Sequence, residues 1–216
     1  MSVSIENPKL QIQNPNASLA LLEVANLTPA LLVVDRCAKA AGVTVLGVES
    51  SDSPMQCIKL FGSVADVRAA GETGLELARQ MGSSAILSVL PAPLDETMVL
   101  VQSKPAFSPL LGLYDARIPQ QEMKAMSDAI GLLETQGLVA ALHAADEMLK
   151  SASVTILGKE KIGAAYITII VKGDVAAVQA AIASGKQVVE RLGGKLIMAD
   201  IIARPHPELA ALLPTK

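Results

Sequence analysis

Apolar residues in this chain come in short runs whose spacing switches between two residues and about 3.6, and each switch marks an element. Leu19–Val24 reads "LALLEV", a brief apolar strand. After Thr28 and Pro29, Leu31, Val34 and Ala38 recur at helical spacing, which predicts a helix running to Ala41. Val43–Glu49 and Gln56–Phe61 read as two more strands, with the polar stretch Ser50–Met55 between them. A second helix is expected over Val64–Met81, closed by Gly82 just past its end. Ala85–Leu90 is the last strand. The predicted order, β-α-β-β-α-β, is the ferredoxin-like arrangement, an α/β fold of the α+β kind.

The whole pattern then returns. "LALLEVANLTPALLVVDRCAKAAGVTVLGVE" (Leu19–Glu49) can be laid under "IGLLETQGLVAALHAADEMLKSASVTILGKE" (Ile130–Glu160). Glu23 falls on Glu134, Asp35 on Asp146, Lys39 on Lys150, Gly47 on Gly158 and Glu49 on Glu160, a constant shift of 111 positions (23 to 134). The same register carries Gly62 onto Gly173, Gly74 onto Gly185 and Gly82 onto Gly193. Composition alone does not keep such a register, so the chain is expected to hold two copies of one domain. The organisation read from it is an N-terminal arm over 1–16, a first domain over 17–98, a connecting segment over 99–126 and a second domain over 127–216. Within the connection, "MVLVQ" (Met98–Gln102) is too apolar for a free linker and points to a short helix or strand.

Composition narrows the function. Hydrophobic residues make up 51% of the 216, yet there is no Trp and only two Phe and two Tyr, so the core must be built from Ala, Val, Ile and Leu. A net charge of −3 and the scarcity of stacking residues argue against nucleic acid as a partner. No apolar run approaches the roughly 18 residues that suggest a membrane span. The polar first 16 residues lack the apolar stretch of a signal peptide. Two cysteines do not make a disulfide framework, which fits a reducing cytoplasm. The two histidines, His143 and His206, have no cysteine or carboxylate cluster at ligand spacing, so no metal site is expected. No Ser-His-Asp set, P-loop or G-x-G-x-x-G motif appears, so neither catalysis nor a cofactor is expected.

The hairpin "EKIGAAYITIIVKGD" (Glu160–Asp174) is unusual, because a simple β-turn would favour Asn-Gly or Asp-Gly. Its tip is apolar, nearly free of side chains, and has a single lysine at its entrance. Taken with the opening "GLLETQGLVAALHAADEMLK", the helix start "VKGDVAAVQAA" and the ending "IARPHPEL", this hairpin makes Ala129–Pro214 closely resemble a bacterial microcompartment shell domain. The first copy resembles the same family more loosely, and the order of elements is unpermuted. The chain as a whole resembles the tandem-domain, trimer-forming shell proteins of the propanediol- and ethanol-utilisation kind.

That resemblance implies a structural role in a cytoplasmic microcompartment shell. A homotrimer would form a six-domain, pseudohexameric tile among other shell proteins, with small metabolites passing a central pore. The loops converging on that pore would be Ser50, Ser51, Asp52, Ser53, Pro54 and Met55 from the first copy and Lys161, Ile162, Gly163, Ala164 and Ala165 from the second. Three Asp52 carboxylates near an axis would favour cations. Equally, Asp52 and Ser53 can serve the turn by bonding their own backbone. Tile edges in the family use residues matched here by Lys39, Lys150 and Arg204, although the first copy reads "LPAPL" where the second has its arginine. A related subgroup holds an iron–sulfur cluster at a first-copy pore cysteine. Here the nearest cysteine, Cys57, is placed inside a strand, and Cys37 mid-helix, both positions that suit core packing. Electron transfer through such a cluster, and a small-molecule sensor on the same scaffold, are the alternative functions.

Overall fold

The computed structural model describes residues 17–50, 54–102, 116–117, 128–210 and 212–213. The chain runs β1 (Ser18–Ala25), α1 (Leu27–Ala40), β2 (Thr44–Ser50), β3 (Met55–Gly62), α2 (Val64–Gln80) and β4 (Ala85–Leu90). It continues through α3 (Asp95–Gln102) and β5 (Ala116–Arg117). The second copy is β6 (Ala129–Gln136), α4 (Leu138–Ser151), β7 (Thr155–Lys161), β8 (Tyr166–Gly173), α5 (Val175–Arg191) and β9 (Lys195–Ile202), followed by α6 (Pro207–Ala210). The two tandem β-α-β-β-α-β units expected from the repeat are present, and α3 occupies the apolar stretch of the connection.

Both sheets are antiparallel and share one order. The first is β4-β1-β3-β2 with β5 added at the β2 edge, and the second is β9-β6-β8-β7. Each has a register shift at the same place, between Val45 and Gly47 in one copy and between Ile156 and Gly158 in the other. Local sequence explains the helix ends. The Ser63 hydroxyl accepts from the Asp66 N–H at 3.1 Å, and the Asp174 carboxylate accepts from the Ala177 N–H at 2.9 Å. Such caps stabilise a helix by about 1 kcal/mol each. Both second helices end on a glycine in the left-handed region, Gly82 at φ 70° and Gly193 at φ 64°.

Small residues let the paired helices close on each other, α1 on α2 and α4 on α5. The second copy has its own apolar cluster, including Leu133, Ala144, Met148, Ile169, Val171 and Val189. The other cluster crosses between copies. It joins Leu22, Val33, Ile58 and Leu60 of the first to Ile130, Leu132, Ile170, Ile202 and Leu209 of the second. Side chains alternate along a strand, so Leu132 and Leu133 of β6 point into different clusters and both faces of that strand are covered. The partner surface on the first copy is α1, which packs against β6, β9 and α6. No helix among the described residues is long and apolar enough to cross a membrane.

Candidate functional site

Each copy turns from its first strand into its first helix at a corner that also holds its β–β loop. The Asn26 N–H donates to the Pro54 carbonyl at 2.8 Å, and the Gly137 N–H donates to the Ala165 carbonyl at 2.8 Å. These residues match under the repeat, so both loops are tied down by the same bond.

The second-copy loop is a backbone feature. Gly163, Ala164 and Ala165 all have positive φ, at 94°, 42° and 64°. An alanine in that region costs about 1 kcal/mol or more, so other bonds must hold the tip. Tyr166 N–H donates to the Gly163 carbonyl at 2.8 Å, and Gln136 Nε2 to the Ala164 carbonyl at 3.2 Å. Lys161, Ala164 and Ala165 are exposed. Ile162 differs from its expected place among outward-facing loop residues. It is buried in the cluster shared by the two copies, because one apolar side chain turned inward anchors a loop that is otherwise nearly bare.

In the first copy Ser50 is buried, and Gln56 Nε2 donates to its hydroxyl at 3.2 Å and to the Pro54 carbonyl at 3.4 Å. Pro54 and Met55 are half-buried. Ser51, Asp52 and Ser53 lie outside the described residues.

The corner of the first copy receives something sequence reasoning did not foresee. Asn26 does not cap α1 with its own side chain. Instead Glu134, from the second copy, reaches the helix end: its Oε1 accepts from the Leu27 N–H at 3.1 Å and its Oε2 from the Thr28 N–H at 2.8 Å. Burial pushes this carboxyl above its usual range, while the two backbone donors pull the other way. A carboxylate at a helix N-terminus also meets the favourable end of the helix dipole. The available signal was a glutamate following a run of apolar residues at the same place in both strands, beside helices whose N-cap residues do not cap them.

More bonds join the copies. Glu208 accepts from the Val45 N–H at 3.1 Å, and burial raises its carboxyl as well. Asp35 Oδ1 accepts from the His206 N–H at 2.8 Å, while Oδ2 accepts from Lys39 at 2.6 Å. Lys39 also donates to the Arg204 carbonyl at 2.6 Å, so this lysine binds the second copy of its own chain. Lys150, its counterpart, pairs with Asp146 at 2.5 Å, and both are well exposed, as is Arg204. His143 is exposed, and His206 Nδ1 accepts from the Glu208 N–H at 3.3 Å.

The cysteines pack. The buried Cys37 thiol donates to the Ala70 carbonyl at 3.2 Å, and burial pushes its pKa to about 12. Cys57 is half-buried in β3, raised to about 11, again mainly by burial. Metal ligation needs the thiolate, so this setting lends Cys57 no support as a cluster ligand.

The two copies are equivalent packing units, bonded to each other and each presenting a tethered loop. The BMC domain model matches twice, over residues 18–93 and 129–205, and the chain belongs to the bacterial microcompartment (BMC) domain family. It is similar to the carboxysome shell protein CcmK2 of Synechocystis, 47% identical over 92 residues that cover 42% of this chain and 89% of that one. A carboxysome shell protein CsoS1 of Prochlorococcus marinus is 46% identical over 90 residues, covering 42% and 87%. A solved microcompartment protein from Desulfitobacterium hafniense covers 90% of this chain at 21% identity, with a TM-score of 0.38.

Proposed function

We propose that three chains close head to tail into a six-domain tile of a microcompartment shell in the cytoplasm, with the two kinds of loop alternating around a central pore. Uneven burial of matching positions carries this reading. Leu27 and Leu31 of α1 are 8% and 4% exposed beneath the second copy, whereas their counterparts on α4, Leu138 and Leu142, are 46% and 50% exposed. The sheets mirror this: Leu132 is fully buried, while its counterpart Leu21 is not. Each chain therefore offers one uncovered helix face and one uncovered sheet face, the two halves of a junction it already makes once internally. Such an interface is heterologous, and a heterologous interface closes into a ring when the rotation permits. Other shell proteins of the same family would meet the tile at its rim.

Light scattering should return a trimer, and a monomer or a hexamer of full-length chains would refute the ring. For the rim we propose Lys39, Lys150 and Arg204. Lys150→Ala should leave the trimer folded, because exposed ion pairs contribute little. Two-dimensional sheets should then fail to form, and sheets as extensive as the parent's would remove Lys150 from the edge.

Lys161, Gly163, Ala164 and Ala165 are proposed to line the pore with Ser51–Met55, passing small metabolites, while Ser50, buried against Gln56 rather than facing outward as expected, holds the base of its loop. Ile162 supports the loop from behind. Three Asp52 carboxylates around the axis repel one another, which favours a bound cation and disfavours anions. Asp52→Asn should increase anion passage and lower divalent-cation occupancy at the axis. If neither changes, Asp52 serves only its turn.

A further inference from the structure

Among the described residues, no side chain caps the first turn of α4. The first amides of any helix have no intrahelical acceptor and need one from elsewhere. The N-cap residue here is Gly137, which has no side chain to supply one. The matching helix, α1, faces the same problem, and it is solved across the junction by Glu134, whose two oxygens take the Leu27 and Thr28 N–H groups. Leu138 and Val139 stand at those positions in α4, and Val139 is 79% exposed.

The first copy carries the matching acid. Glu23 occupies the place of Glu134: it lies opposite Cys57 of β3 and Ile86 of β4, as Glu134 lies opposite Thr168 of β8 and Met198 of β9. Both helix corners are anchored alike, through Asn26 to Pro54 and through Gly137 to Ala165.

We infer that the Glu23 carboxylate of one chain caps α4 of the next, accepting from the backbone N–H groups of Leu138 and Val139. The inference rests on the head-to-tail ring proposed above and names the residue that completes each junction between chains. The partner is thus a second copy of this chain, presenting its β1 face. The apolar face of Leu138, Val139 and Leu142 supplies contact area, and Glu23 supplies orientation, because its two oxygens fit one helix end in one geometry. An acid at a helix N-terminus and two charge-assisted hydrogen bonds are strong contacts once water is excluded.

Hydrogen exchange of the full-length protein reads the contact directly, comparing concentrated trimer with a sample diluted until chains separate. First-turn amides without an acceptor exchange freely, so Leu138 and Val139 should be slowed at least tenfold in the trimer and released on dilution. Glu23→Ala should abolish that protection and shift dissociation to at least tenfold higher concentration, while the secondary structure of the separated chain stays unchanged. A wild-type trimer in which both amides exchange as fast as in separated chains overturns the cap and leaves the ring standing. A chain that forms no trimer at any concentration overturns both.

Discussion

Replacing Glu134 with alanine should cost the folded chain about 3 kcal/mol, because it leaves the buried Leu27 and Thr28 amides without acceptors and removes a carboxylate from a helix N-terminus. The two copies belong to one chain, so the loss measured on separated chains should not depend on protein concentration. A drop in Tm of about 6–12 °C is the expected reading for a protein of this size. Its pH dependence has a definite sign. Burial holds the Glu134 carboxyl above its ordinary 4.5, so the folded chain keeps this proton more tightly than the unfolded chain. The wild type's advantage over Glu134→Ala should be largest below pH 4.5 and shrink as the pH rises through the folded-state value. A variant that melts with the wild type at every pH would mean the junction does not need this acid.

The second large effect is expected at Gly74, where α2 closes on α1. A Cβ at this position would sit 2.5 Å from Cys37 Sγ, 2.8 Å from Leu22 Cδ2 and 2.9 Å from Val33 Cγ1. Alanine is the better helix former by about 1 kcal/mol, but forcing a methyl into a packed core costs typically 1–3 kcal/mol, and here three neighbours would have to move. Gly74→Ala should therefore destabilise by about 2 kcal/mol, seen as a fall in Tm of about 4–8 °C. Adding Cys37→Ala removes the closest atom and should recover part of the loss, a coupling of about 1 kcal/mol in a double-mutant cycle. A single variant as stable as the parent would show that the helices separate without strain.

Much of the fold was legible because each element advertises itself within a few residues. Ala85–Leu90 matches β4, and Gly82, just past the last apolar turn, stops α2. The repeat multiplied this information, since any feature misread in one copy could be checked 111 positions on. The loop of the second copy was legible for the same reason, as a short local motif. What escaped were bonds between copies. The acid and the amides it satisfies stand 106 and 107 residues apart, and neither looks unusual alone. Lys39 reads as a surface cation until the Arg204 carbonyl is brought beside it by the packing of α6 and its flanks on α1. Ile162 turns into the cluster shared by the copies, an orientation that five loop residues do not reveal by their identity.

The tether between copies also changes how assembly responds to dilution. With the second copy already seated on the first, each chain arrives with one junction made, and no translational freedom is lost in forming it. Closing the ring proposed above then follows a lower power of concentration than a ring of separate domains would require, so that ring should persist when the protein is scarce.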